Sequence, residues 1–537
     1  MFCRQCEWTQ NGTGCLKRGT CGKSPEAAEA QDRLMLTLKG LACAASAARK
    51  GGRIFPEADR LITRGLYATM TNVDFDHDSL SRLATDSAEM RDAIGLPADA
   101  PAGARIGADA DAEAAGPGPE SDTPGSSLRE TAVLGLKGMA AYLHHAAALG
   151  HEDDLCYEFT ERLLARSLDP DPGTDEWLEL ALGTGGMNLR AMGLLDGAHT
   201  ESFGIPVPSE VHLGHASGPA VLLSGHDLKE LADLMDQAGD RTGSRAGCPE
   251  IRVYTHCEML PSHGYPGLSR PELAGHYGTG WQNQERELFE FPGPAVFSGN
   301  CIQKPKDITR VFTTGAASWP GCRRLGRLPD GRTDFGPVLD MAEAMGGFKS
   351  AENGRKVLTG FNWRSVLALS EKIVGLIGKG KISRFVLIGG CDGAKPSRSY
   401  FTRLAGLLPQ DTVILTLGCG KFRLLDLDLG DIEGIPRLLD MGQCNDSYSA
   451  VKVASALSEA LAVPLDRLPL SLVVSWHEQK ACAVLLTLLH LGIKNVRLGP
   501  SLPAFVNRSV LKVLTDNWGL KAIGNPEEDM SAMMRGQ

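Results

Sequence analysis

Long apolar runs are missing from this chain of 537 residues. The most extended, "ACAVLLTLLHLG" at 481–492, falls well short of the ~20 residues that cross a bilayer, so no membrane span is expected. Positive charge is also scarce. Against 65 Asp and Glu stand 55 Lys and Arg, a net charge of −10, which argues against a surface for phosphate backbones and removes nucleic acid from the expected partners. The sequence carries no flavin or nicotinamide fingerprint, so redox chemistry here would draw its electrons from another protein. Cys3 leaves no room ahead of it for a charged n-region and an apolar h-region, and the expectation is a cytoplasmic protein with reduced thiols.

What is present fits a large globular protein. Hydrophobic residues at 42% and charged residues at 22% allow substantial cores, and the length suggests three or four domains of about 150 residues. To about residue 200, apolar residues recur at helical spacing, and "LTLKGLACAASAARKGG" at 36–52 returns as "LGLKGMAAYLHHAAALG" at 134–150. Each copy precedes two more helical stretches, which predicts two repeated three-helix bundles. Between them, about 97–128 is rich in Ala, Gly, Pro and Asp and reads as a flexible linker.

From about residue 215, short β-branched or apolar runs alternate with helical ones, the pattern of parallel α/β sheets. The clearest strands are 220–225, 251–256, 295–300, 385–390, 413–418, 470–476 and 495–500, with the helical "WRSVLALSEKIVGLIGKG" between the earlier and later sets. The expected organisation is a cysteine segment (1–27), a helical region (28–212) and two Rossmann-like α/β units (213–370 and 371–537).

The strand ends are rich in metal-binding residue types. His226, Cys257 with Glu258, and Cys301 follow the early strands; Cys391, Cys419, and His477 with Glu478 and Lys480 follow the later ones. Cys444 stands in "DMGQCNDS", a turn before a helix. Ligands of open parallel sheets bind at the carboxyl ends of strands, and this mixture of thiolate, imidazole and carboxylate exceeds what one four-coordinate zinc uses. A multi-iron cluster fits better. Gly389, Gly390 and Gly393 around Cys391, and Gly418 and Gly420 around Cys419, are expected to expose amides and leave space there. Ordinary readings stand beside this one. Cys43, Cys156 and Cys482 lie in apolar helical contexts and belong to cores; Cys248, Cys257 and Cys322 fit either role. His226 could cap the helix after it, and Lys480 could be a surface lysine. At the amino terminus, the Cys3, Cys6, Cys15, Cys21 spacing suits an iron–sulfur cluster better than a zinc ribbon.

The stretches "MFCRQCE", "SGHDLKEL", "VYTHCEMLPSHGYP", "GTGWQNQERE", "GGCDGAK", "LTLGCGKFR", "DIEGIPRLLDMGQCNDSYSA" and "SWHEQKA" resemble the hybrid-cluster (prismane) proteins, a family of hydroxylamine reductases, nearly end to end. The resemblance implies a [4Fe-4S] cluster on Cys3, Cys6, Cys15 and Cys21. It also implies a buried hybrid [4Fe-2O-2S] cluster on His226, Glu258, Cys301, Cys391, Cys419, Cys444 and Glu478, with Cys391 as a persulfide. Hydroxylamine would be reduced there with electrons from a donor protein, with Cys391, Glu478 and Lys480 as the catalytic residues and Lys480 as proton donor or electrostatic stabiliser. Two other functions remain open: nitric oxide reduction or protein nitrosylation in nitrosative stress, and non-catalytic metal binding. The nickel-containing carbon monoxide dehydrogenases share the fold idea, but "GGCDGAK" and "SWHEQKA" point away from them. Cys257 and the long connection at 236–250 depart from the family pattern and bear on the surroundings of Glu258.

Overall fold

The computed structural model describes residues 1–108, 123–169, 173–244 and 250–537; the middle of the expected linker, 109–122, and Cys248 in the long connection lie outside them. After the cysteine segment come α1 (Pro25–Lys50), α2 (Pro56–Ala68), α3 (His77–Ile94), α4 (Pro124–Ala148), α5 (Asp154–Arg166) and α6 (Thr174–Phe203). The internal repeat is visible in how they start. Ser24 and Thr123 each cap a helix with a side-chain oxygen, and each is followed by a proline, whose missing N–H costs nothing in the first turn. α1 packs on α3 as α4 packs on α6. Arg49, at the end of α1, reaches Asp59 of α2 and Glu161 of α5, both at 2.9 Å, so one guanidinium ties the two bundles.

The linker expected over about 97–128 is shorter at both ends. Ala102–Arg105 form a 3-10 turn whose Ala104 carbonyl accepts from Arg91 at 3.1 Å, and α4 begins at Pro124 because Thr123 and Ser126 cap each other reciprocally. A single apolar-poor composition therefore concealed two locally satisfied ends.

Two six-stranded sheets follow, parallel throughout. The first runs in space Leu273–His276, Arg252–His256, Ala220–Gly225, Ala295–Ser298, Val311–Thr313, Arg323–Arg324. The second runs Leu438–Asp440, Thr412–Thr416, Arg384–Gly390, Leu470–Ser475, Arg497–Gly499, Lys521–Ala522. The seven expected strands are all present within two residues, and the short edge strands are additions. The expected long helix before the second sheet is two, Trp363–Leu367 and Ser370–Gly378. In each sheet the chain goes first to one side of the central strand and then to the other. The reversals fall between Ala220–Gly225 and Ala295–Ser298, and between Arg384–Gly390 and Leu470–Ser475, which opens a crevice at the carboxyl ends.

The helical bundles and one face of the second sheet share a core that includes Leu136, Trp177, Leu387 and Leu486. The helix Gln479–His490 packs against both α4 and α6, and Asn188 of α6 donates to the Thr487 hydroxyl at 3.0 Å. This docking fixes the helix whose first turn carries Glu478 and Lys480. Among the described residues, no helix is long and apolar enough to cross a membrane.

Candidate metal centre

Both crevices open toward one buried volume. His226, the residue after the central strand of the first sheet, is fully buried, and its Nδ1 lies 2.9 Å from the Asn300 carbonyl. That bond fixes Nδ1 as the protonated nitrogen and leaves the Nε2 lone pair for another partner. Burial, with Lys480 and His145 nearby, holds the ring well below the usual histidine range, so it is neutral. Nε2 sits 3.2 Å from the Cys444 sulfur. One ligand atom each from His226, Glu258 and Cys444 lies within 4.8 Å of the others.

Glu258 is 1% exposed; its Oε2 accepts from the Cys444 backbone N–H at 2.7 Å, and its Oε1 has no partner. Glu478 repeats this arrangement. Its Oε2 caps the following helix through the Lys480 N–H at 2.9 Å, and its buried Oε1 is bare. Burial raises both carboxyls, opposed in each case by Lys480 among other groups. Two buried carboxylate oxygens without donors are costly unless a cation faces them.

The thiols complete the ring. Cys301 feels Glu478 and Cys391, and Cys444 feels Glu258, Glu478 and Cys391, in addition to the burial that pushes both thiols up. Cys301 packs with Cys419, Cys257 and Trp281. Cys391 is pushed up to about 12, mainly by burial. It lines an apolar cavity with Cys444, Lys480, Leu387, Leu417, Val484 and Leu488. The structure thus brings ligand atoms of His226, Glu258 and Cys444 within 4.8 Å of one another, packs Cys301 on Cys419, and sets Cys391 and Glu478 within electrostatic reach of Cys301 and Cys444. Their donor types suit an iron–sulfur–oxygen cluster: thiolates for sulfide-bridged irons, carboxylates and a neutral imidazole for the harder irons.

The glycines around the thiols have a use beyond the expected one. Gly390 has φ +110°, and a Cβ there would stand 2.1 Å from the Ser475 carbonyl oxygen; Gly418 has φ +73° and the same conflict with the Gly390 oxygen at 2.5 Å. A Cβ on Gly393 would strike the Arg398 guanidinium. These residues let neighbouring strand ends approach closely, and so aim Cys391 and Cys419, while Gly389 and Gly390 also line the cavity beside Cys391.

Lys480 is no surface lysine. It is 1% exposed, with Nζ 3.1 Å from the Asn445 side-chain oxygen. Burial opposes its charge, but Cys444, Glu478, Tyr67 and Cys301 outweigh it and hold the ammonium strongly protonated.

The amino-terminal thiols form a second group. Cys3 and Cys15 exchange backbone hydrogen bonds at 3.1 and 2.8 Å, and Cys6 feels Cys21 and Cys3. The buried Lys23 donates to the Gln31 side chain and points Nζ at the Cys3 sulfur, 4.0 Å away. The segment is latched to the strand-end centre: the Glu7 N–H donates to the His477 carbonyl at 3.0 Å, and the Glu7 carboxylate is held by Arg398 and Lys395. Trp8, Trp281 and His477 pack together in tilted and edge-on pairs where the segment meets the strand ends, with ring centroids 4.6 to 5.3 Å apart. Lys23, Glu7, Trp281 and Asn300 escaped the sequence reading, although each lies within a few residues of a proposed ligand or in a quoted motif. Cys43 is half-buried, Cys156 and Cys482 lie in cores, and every described cysteine is free.

A family model described as Prismane/CO dehydrogenase family matches residues 1–531. A hydroxylamine reductase of Solidesulfovibrio magneticus is 46% identical over 99% of this chain and 100% of its own length. One of Thermodesulfovibrio yellowstonii is 44% identical over the full length of both. Among solved structures, a nickel-free carbon monoxide dehydrogenase from Thermococcus sp. AM4 superposes with a TM-score of 0.58 at 16% identity, over 100% of this chain and 90% of that one. The same TM-score and identity relate it to an acetyl-CoA synthase/carbon monoxide dehydrogenase with NiZn[Fe4S4] and NiNi[Fe4S4] clusters, over 100% and 86%. These structural likenesses concern the fold.

Proposed function

The chain belongs to the Prismane/CO dehydrogenase family, and from that premise we propose that it is an iron–sulfur oxidoreductase that reduces hydroxylamine to ammonia and water. The observation that carries the reading is the gathering of His226, Glu258 and Cys444 within 4.8 Å, beside Cys301 packed on Cys419, with an unpartnered buried oxygen on each of Glu258 and Glu478. Full-length likeness to named hydroxylamine reductases supports it.

A cluster held by these residues would supply two electrons and a Lewis-acid site for the N–O oxygen. The chain does the rest. Cys3, Cys6, Cys15 and Cys21 would hold the entry cluster, close to the exposed Leu16. Asn300 fixes the imidazole of His226, and the Cys444 N–H orients Glu258. Lys480, pinned by Asn445, keeps a positive charge at Nζ beside the apolar cavity, where it steadies the hydroxyl oxygen as the N–O bond breaks. Leu387, Leu417 and Leu488 keep bulk water away and suit a small neutral substrate. Two protons are consumed with the two electrons. Carboxylate and imidazole ligands beside so many thiols favour this reading over a zinc-storage role.

Anaerobically purified protein should contain iron without stoichiometric nickel, show paramagnetic signals, and form one ammonia per two electrons from a reduced dye. Stoichiometric nickel, zinc with no redox signal, or faster turnover of nitric oxide than of hydroxylamine at micromolar concentration would each overturn it.

A further inference from the structure

Cys257 takes no part in the donor set just described, yet its placement is specific. It follows the strand Arg252–His256 and opens a 3-10 turn, with φ +56°, in the left-handed region that residues with a Cβ avoid. The consequence of that backbone is that two adjacent side chains straddle the crevice. Glu258 reaches the Cys444 amide, while the Cys257 sulfur comes to 3.4 Å from the Cys419 sulfur. Both thiols are buried, at 2% and 3% exposure, and share their packing with Trp281 and Cys301. A strained, buried, non-glycine residue whose side chain meets a proposed ligand sulfur calls for a chemical reason.

Resting on the function proposed above, we infer that Cys257 is a positioning residue that donates an S–H hydrogen bond to the Cys419 sulfur and thereby raises the reduction potential of the strand-end centre. A metal-bound Cys419 is a thiolate, an acceptor without a proton of its own. Reduction adds negative charge that spreads onto ligand sulfurs, so a donor aimed at one of them stabilises the reduced form more than the oxidised form. Hydrogen bonds to sulfur are among the levers that set cluster potentials. The sulfur of Cys257 faces another sulfur, which is the geometry of a donor rather than of an eighth ligand.

The test is a redox titration of the strand-end centre in the holoenzyme, followed by electron paramagnetic resonance, with iron counted in each sample. Cys257→Ala should keep its iron and titrate at a more negative potential than the parent. Cys257→Ser, whose hydroxyl also donates, should recover most of the shift. An iron-replete Cys257→Ala at the parent potential overturns the inference alone, as does loss of iron from that variant, which would make Cys257 a ligand. A Cys257–Cys419 disulfide in the anaerobic parent would overturn it too. Parent protein without iron at the strand ends would overturn the function itself and this inference with it.

Discussion

Cys3, Cys6, Cys15 and Cys21 come from one short segment whose backbone pairing of Cys3 with Cys15 brings them together, whereas the strand-end residues come from both sheets and meet only when two switch points face each other. The first group is made by local geometry and lies beside exposed Leu16, Lys17 and Arg18. The second is made by the whole fold, is buried, and is held by helix caps, backbone amides and buried cations. Under the proposed function, the thiol group near the surface would serve electron entry and the buried mixed-donor group the chemistry. The two should therefore fail independently when a ligand is lost, and together only through the contacts that join them.

The sharpest test of the buried group is Cys391→Ala. It should lower hydroxylamine turnover by more than about 100-fold and change the paramagnetic signal of the strand-end centre, since loss of outer-shell partners alone costs about 10- to 100-fold. Cys482→Ala, one helix away and packed in a core, should cost about 1 kcal/mol of stability and leave activity intact. Mass spectrometry of the anaerobic, non-reduced "GGCDGAK" peptide should show one added sulfur on Cys391. Equal activity of the two variants would erase the distinction between ligand and core thiols.

Next is Glu478→Gln. The amide keeps the size and replaces an anionic oxygen with a weaker ligand, so turnover should fall at least about tenfold with the fold retained by circular dichroism. Activity within twofold of the parent would remove Glu478 from the donor set.

Cys15→Ser acts on the other group. Iron analysis and paramagnetic resonance should show the amino-terminal cluster lost and the strand-end signal kept, with turnover driven by a donor protein reduced. Loss of both signals would show that the two groups are not independent.

The smallest effect probes the join. Burial would raise the Glu7 carboxyl, but His477, Arg398 and Lys395 together hold it at about 2 against an ordinary 4.5. A lowered carboxyl stabilises the fold fully above about pH 4.5 and loses that contribution as pH falls toward 2. Glu7→Gln should be less stable at neutral pH by about 3 kcal/mol, because the buried Arg398 loses its partner, and its denaturant midpoint should vary less with pH across that window. A midpoint that falls as steeply as in the parent would place the acid sensitivity elsewhere.

Much of this was legible in the sequence because strong patterns recur. Strands such as 220–225 and 385–390 are mostly apolar, as buried parallel strands are, and the residues that follow them are chemically unusual for an apolar neighbourhood. The two- to four-residue edge strands carry too little pattern to be seen, and Leu273–His276 contains a glycine that weakens it further. Glu7 looked like any polar residue after a cysteine; its partners Lys395 and Arg398 lie at the far end of the chain, and only tertiary structure reveals the clamp. The glycines beside Cys391 were recognised as special, but sequence reveals permissiveness and not which carbonyl comes close. Cys257 stayed ambiguous because its role depends on the direction of its sulfur.

One further contact sets a timetable for manufacture. The Gln479 side chain binds the Gln5 carbonyl at 2.8 Å across 474 residues, and also holds Thr71. At about 5 to 20 residues per second, Gln5 leaves the ribosome roughly 20 to 100 s before Gln479 does. The helical bundles, built from neighbouring segments, have that interval in which to fold, while this contact cannot form until Gln479 has been made. The strand-end donor set is consequently complete only once Glu478 has been made. Ribosome-stalled chains that end before Cys444 should bind iron, if at all, through their first four cysteines.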